Sequence, residues 1–113
     1  MSAFASSKRV LVADRDEITV VLTRHVLTRE GYAVDVATDR QMLGDLQRLN
    51  DYDAILVDVD FAGVEWLHKL PPETSRRLIG IVSNGYDSLP LSATIRKPLE
   101  LDALAGIVAK VAS

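Results

Sequence analysis

Four side chains in this sequence have types and positions suited to moving a phosphoryl group. Asp58 closes the apolar run Ala54-Ile55-Leu56-Val57. Asp14 closes an earlier run, 9–13, and is followed by Arg15 and Asp16. Ser83 ends the stretch 78–83, and Lys97 precedes Pro98 after 92–96. A carboxylate can attack phosphorus and carry the group as an acyl phosphate. The transferring group spreads negative charge over its equatorial oxygens, so something positive must meet it. Carboxylates with a backbone carbonyl form an all-oxygen donor set of the kind Mg2+ takes. An ammonium supplies a further point charge, and a hydroxyl satisfies another phosphoryl oxygen. This chemistry requires that residues far apart in sequence meet.

The elements that could bring them together alternate. Residues 9–13, 32–37, 54–58, 78–83 and 92–96 read as strands, the last weakly. Between the first two, Ile18, Val21, Leu22 and Val26 recur at helical spacing, which predicts a helix over 17–30 with that stripe facing inward. Asp16 can cap it and Gly31 can stop it. Thr38 or Asp39 can cap a second helix with the stripe Met42, Leu43, Leu46, Leu49. Residues 63–70 predict a short third helix ended by Pro71-Pro72, with Trp66 and Leu67 packing it. A last helix starts at Glu100, with Leu101, Leu104, Ala105, Val108 and Val111 in register. Strands one, three and four are nearly unbroken apolar runs, as strands buried on both faces are. The pattern therefore predicts a doubly wound α/β fold with a five-stranded parallel sheet and helices on both faces. Such sheets bind ligands beyond the carboxyl ends of their strands, where all four residues are predicted to lie.

Length and composition agree. The chain has 113 residues, 48% of them hydrophobic, enough for one domain with one core. We expect a single domain over 1–113 with a loose tail at 1–7. A net charge of −3 and scattered Arg24, Arg29 and Arg40 give no basic stripe for nucleic acid. The absence of cysteine excludes disulfides and thiolate chemistry. No apolar run reaches the roughly 18 to 20 residues that span a membrane, and the start is too polar for a signal peptide. A soluble cytoplasmic protein is expected.

With Asp14, Asp58, Ser83 and Lys97-Pro98 each at a strand end and in this order, the sequence resembles the receiver domains of bacterial two-component response regulators. The likeness extends over nearly the whole chain, and 29–34 and Gly63 add to it. It implies a flavodoxin-like sheet of order 2-1-3-4-5. Asp58 would be the phosphoacceptor, with Ser83 and Lys97 on the phosphoryl oxygens. Mg2+ would be held by Asp14, Asp16, Asp58 and the backbone carbonyl of Asp60. The implied donor is a histidine kinase or a histidine phosphotransfer protein, and the output passes to a downstream protein by contact. Self-association into a homodimer is left open. The domain would be no enzyme beyond its own phosphoryl transfer and hydrolysis.

The departures from that pattern are specific. Arg15 stands where receivers carry the second acid, so Asp16 shifts in or the Arg15 guanidinium takes the place of the metal. Ala62 replaces the usual proline before Gly63. Thr94 replaces the aromatic that receivers couple to the strand-four hydroxyl, which leaves Tyr86 as a candidate switch residue. The interval 84–96 is short for a helix and two loops, since a helix rises about 1.5 Å per residue and needs several turns to pack. The fourth helix is therefore expected to be reduced or missing. Gly85-Tyr86, Leu89-Pro90 and Lys97-Pro98 are similar to stand-alone receivers whose fourth strand ends Phe-Ala-Thr-Gly-Tyr.

Plainer readings stand beside each of these. Asp58 and Ser83 are residue types common at strand ends and turns. Asp14 suits the positive end of a helix, and Asp16 can cap, ligate or do both. The Asp60 side chain is expected in solvent. His25 reads as a packed or half-buried face residue, and Arg76-Arg77 as a solvated loop. Two rival functions remain. One is a pseudo-receiver whose Arg15 pairs with Asp14 and Asp58 and replaces the metal. The other is a haloacid-dehalogenase-type phosphatase suggested by Asp58-Val59-Asp60, against which the order of the motifs counts.

Overall fold

The computed structural model describes residues 8–44, 48–83, 91–96 and 99–113. Five parallel strands form one sheet in the order β2-β1-β3-β4-β5. They are β1 (Arg9–Ala13), β2 (Ala33–Ala37), β3 (Ala54–Asp58), β4 (Leu78–Val82) and β5 (Ala93–Arg96). Every residue of β3 and β4 is buried, as the unbroken apolar runs require, because these strands are covered on both faces.

Strand alternation divides the core into two layers. On one face Val10, Val12, Leu56, Ile79, Ile81 and Ile95 meet α1 (Glu17–Arg29) and α5 (Leu101–Ala112). On the other face Leu11, Ala13, Ile55 and Val57 meet the shorter segments that follow β2 and β3. Asp16 caps α1, its carboxylate accepting from the Ile18 amide at 3.1 Å. Gly31, at φ +94°, turns the chain into β2, a conformation open to glycine. In α5, Leu104 and Val108 are buried as expected.

The face that α1 presents to the sheet is not the expected one. Thr19, Thr23 and Leu27 are buried, while Ile18 is 71% and Val21 64% exposed. His25, expected to be packed or half-buried, is exposed as well. Apolar residues lie on more than one side of this helix, so spacing alone did not select a face. The cap at Asp16 and the turn at Gly31 fix where the helix begins and ends, and with them its rotation.

The second helix is replaced, within the described residues, by two 3-10 turns, Arg40–Leu43 and Arg48–Asp51. Asp39 caps the first, accepting from the Gln41 amide at 2.9 Å. Leu43 and Leu49 are buried, Met42 is exposed, and Leu46 lies outside the described residues. The third helix starts earlier than expected and is broken. The chain turns helical directly after Asp58 as α2 (Val59–Ala62) and breaks at Gly63, whose φ is +90°. It resumes as α3 (Val64–His68). Trp66, half-buried, donates its ring N–H to the Leu43 carbonyl at 3.0 Å, and Leu67 is fully buried. Pro72 does not only end structure: it opens a further turn, α4 (Pro72–Ser75), as proline at a first helical position can.

Arg77 corrects the expectation of a solvated loop. Its guanidinium donates to the carbonyls of Asn50 and Tyr52, both at 3.0 Å, and to Asn50 Oδ1 at 2.9 Å. That clamps the entry to β4 onto the entry to β3. The expected loss of the fourth helix falls on 84–90 and lies outside the described residues, as do the 1–7 tail and Tyr86. Leu91, at the end of that connection, packs into the core layer that contains Val59. Among the described residues no helix is long and apolar enough to cross a membrane.

Candidate phosphoryl site at the strand ends

Parallel pairing sets the two central carboxylates side by side. Ala13 pairs with Val57, so Asp14 and Asp58 follow on adjacent strands at the same edge. Asp14 is 1% exposed and Asp58 8%. Both sit at the mouth of a cavity of about 370 Å³ lined by Asp14, Arg15, Asp16, Asp58, Asp60 and Phe61.

Each carboxylate is held by backbone amides. Asp14 Oδ1 accepts from the Asp16 amide at 2.9 Å. Asp58 Oδ1 accepts from the amides of Asp60 at 2.9 Å and Phe61 at 3.2 Å, so Asp58 ends β3 and caps α2 at once. Such bonds fix the plane of each carboxylate. Asp16 is engaged by α1: besides the Ile18 amide, its second oxygen accepts from Thr19 Oγ1 at 2.7 Å. The Asp60 side chain is exposed, as expected.

The donors suit a hard cation. They are all oxygen, and four carboxylates line one cavity. Among the described residues no group of three or more His, Cys, Asp or Glu side chains is arranged to hold a metal by itself. A cation here would therefore draw on one or two carboxylates, a backbone carbonyl and water. That coordination suits Mg2+, which keeps several waters.

The remaining expected residues are placed unequally. Ser83 follows β4 at the same carboxyl edge, is exposed, and lies outside the cavity lining. Lys97 lies outside the described residues. Arg15 is a residue whose place the sequence left open. Its guanidinium lies over the Phe61 ring, 5.6 Å from the centroid, and among the described residues no ion pair within 4 Å joins it to Asp14 or Asp58. Two further contacts escaped sequence reading. Arg40 Nη2 donates to the Ala62 carbonyl at 3.3 Å, on the last residue of α2. Trp66 donates to Leu43 of the same 3-10 turn. No sequence signal marks either.

Away from this edge, Arg9 at the start of β1, Asp35 in the middle of β2 and Tyr52 ahead of β3 form a second polar cluster. Asp35 accepts from Tyr52 Oη at 2.7 Å and from Arg9 Nη2 at 2.9 Å. These bonds, Tyr52 first, hold the Asp35 carboxyl below its ordinary range. Burial, then the neighbouring carboxylate, pushes the Tyr52 phenol up.

The sheet order and the helices on both faces are those of response-regulator receiver domains: the chain has their fold. The structure of a protein described as a response regulator from Chloroflexus aurantiacus J-10-fl superposes with a TM-score of 0.80 at 20% identity, covering 95% of this chain and 98% of that one. The receiver domain of a sensor histidine kinase from Pseudomonas aeruginosa PAO1, with a magnesium ion coordinated in its active-site cleft, matches with a TM-score of 0.75 at 15% identity, covering 95% and 98%. The chemotaxis response regulator CheY4 of Vibrio cholerae matches with a TM-score of 0.75 at 18% identity, covering 94% and 99%. In sequence, the chain is 26% identical over 114 aligned positions to the aerobic respiration control sensor protein ArcB of Escherichia coli K12, with 89% of this chain covered. It spans 15% of the length of that relative. No family model matches the sequence.

Proposed function

We propose that this domain is a phosphoacceptor of a two-component signalling system, taking a phosphoryl group from a phosphohistidine onto Asp58. The observation that carries the reading is the placement of Asp58. It lies beside Asp14 at the carboxyl edge of the central strands, at the mouth of a cavity, with Oδ1 fixed by two amides of its own helix. In the transfer the N–P bond of the donor breaks as an Asp58 oxygen bonds phosphorus, and the imidazole keeps the electron pair of the broken bond. Hydrolysis by water then returns the carboxylate and releases inorganic phosphate.

The chain's own residues orient and neutralise. The amides of Asp60 and Phe61 hold the carboxylate plane, so the attacking oxygen needs no reorganisation. Asp14 and Asp58, with the Asp60 carbonyl, are the groups that would hold Mg2+. Asp16 acts first as the cap of α1. The ion, when bound, supplies positive charge against the transferring group. Lys97 and Ser83 are assigned to the phosphoryl oxygens, and signalling to a downstream protein passes through contacts.

The pseudo-receiver reading needs Arg15 paired with Asp14 and Asp58. The position of Arg15 over Phe61 counts against that arrangement. The decisive experiment is intact-mass measurement after treatment with acetyl phosphate, with and without Mg2+. A Mg2+-dependent gain of about 80 Da, the mass of one phosphoryl group, is expected in the wild type and not in Asp58→Asn. Equal gains in both proteins, or none in either, would overturn the assignment.

A further inference from the structure

Among the described residues that line the cavity, Arg15 is the cation, sharing the lining with Asp14, Asp16, Asp58 and Asp60. A phosphoryl group on Asp58 would add negative charge to an edge already dense in it. Arg15 neighbours Asp14 in the chain, is exposed, and rests over Phe61. The Phe61 amide in turn donates to Asp58 Oδ1, so the resting place of the guanidinium is tied to the proposed acceptor.

That resting place is cheap to leave. An exposed cation over a ring is held less strongly than a guanidinium in a charge-assisted, two-pronged pair with phosphate. The planar fork of arginine matches two oxygens of one phosphoryl group, which a lysine cannot do.

We propose that Arg15 is a phosphoryl ligand: when Asp58 carries the group, the guanidinium leaves Phe61 and donates two N–H bonds to its oxygens. The inference rests on Asp58 being the acceptor. Arg15 forms no covalent bond and transfers no proton, remaining charged throughout. It supplies within the chain part of the positive charge that receivers otherwise draw from a metal held by two acids. One consequence separates this role from a structural one. In the empty site Arg15 repels a divalent cation, whereas with the group in place it attracts the anion. Removing it must therefore weaken the hold on the anion without weakening the hold on the metal.

The test titrates Mg2+ alone, and then beryllofluoride at saturating Mg2+, into wild type, Arg15→Ala and Arg15→Lys. The single tryptophan and amide resonances report binding. Arg15→Ala is expected to weaken beryllofluoride roughly tenfold, the loss of one charge-assisted contact. Mg2+ half-saturation in the same variant should be unchanged or lower, and Arg15→Lys should recover part of the loss. Wild-type beryllofluoride affinity in Arg15→Ala would overturn the proposal, as would a fall of both affinities together. A wild type that gains phosphoryl mass from acetyl phosphate but whose beryllofluoride affinity does not depend on Arg15 overturns the ligand role and leaves the acceptor reading standing. A wild type that binds no beryllofluoride overturns the ligand role.

Discussion

Leu91 lies against Gly80 so closely that a β-carbon on Gly80 would stand 2.5 Å from Leu91 Cδ1 and 3.2 Å from Val59 Cγ2. Gly80 is the middle residue of β4, and Val59 directly follows Asp58. The bare strand makes a notch that Leu91 fills, bringing the end of the β4–β5 connection onto the residue beside the proposed acceptor.

Gly80→Ala should destabilise the fold by about 1 to 3 kcal/mol, the usual cost of forcing a methyl into a filled core. Leu91→Ala in the same protein should return part of that loss, since the flexible leucine end is the nearest obstacle. Denaturant midpoints of the two single variants and the double variant measure the coupling. Strict additivity would show that the two residues do not share the space.

Thr23 is fully buried in α1, and its hydroxyl has no hydrogen-bond partner among the described residues. A buried hydroxyl without a partner carries a desolvation cost that a methyl does not. Thr23→Val, nearly equal in shape, should raise stability by about 1 kcal/mol. A loss of stability on thermal or chemical unfolding would mean that the hydroxyl is satisfied in solution.

Tyr52 and Arg9 depress the Asp35 carboxyl. A folded pKa below the unfolded one gives stability that is present above the unfolded value and lost as pH falls through the folded one. Tyr52→Phe removes the first of these bonds. Near neutral pH it should cost no more than about 1 kcal/mol, because Asp35 is half exposed and screened. The gap between wild type and variant should narrow below roughly pH 4, where carboxyls begin to protonate. A gap independent of pH from neutral to acid would assign the Tyr52 contribution to packing alone.

Asp14→Asn keeps an oxygen that can accept from the Asp16 amide but removes the charge. Mg2+ half-saturation should rise at least about tenfold, the loss of one direct or water-linked carboxylate contact. Phosphoryl loading of Asp58 at limiting Mg2+ should fall with it, while the thermal midpoint changes little. Unaltered Mg2+ dependence would remove Asp14 from the metal site.

The strands were readable because their environment is uniform. β3 and β4 are covered on both faces, so every position is apolar and no periodicity has to be resolved. Asp14 and Asp58 were readable as candidates because a carboxylate ending such a run is conspicuous. Helix rotation was less accessible: α1 has apolar residues on more than one side, and the sequence did not show that Thr19 and Thr23 would face the sheet. The helical turn beginning directly at Asp58 was also hidden, because Val59-Asp60-Phe61-Ala62 gains its start from the Asp58 side chain acting as a cap.

By itself, then, the sequence determined the alternation of elements, the burial of the central strands and the acids at their ends, because these follow from local hydrophobicity and chain length. Only the tertiary structure decided that Asp58 caps its own helix, that Arg15 rests on Phe61 and not on a carboxylate, that Arg77 clamps two strand entries, and that Leu91 fills the notch at Gly80. Each of these depends on a partner distant in sequence or on which way a side chain turns. Neither is set until the sheet has fixed where its edges meet.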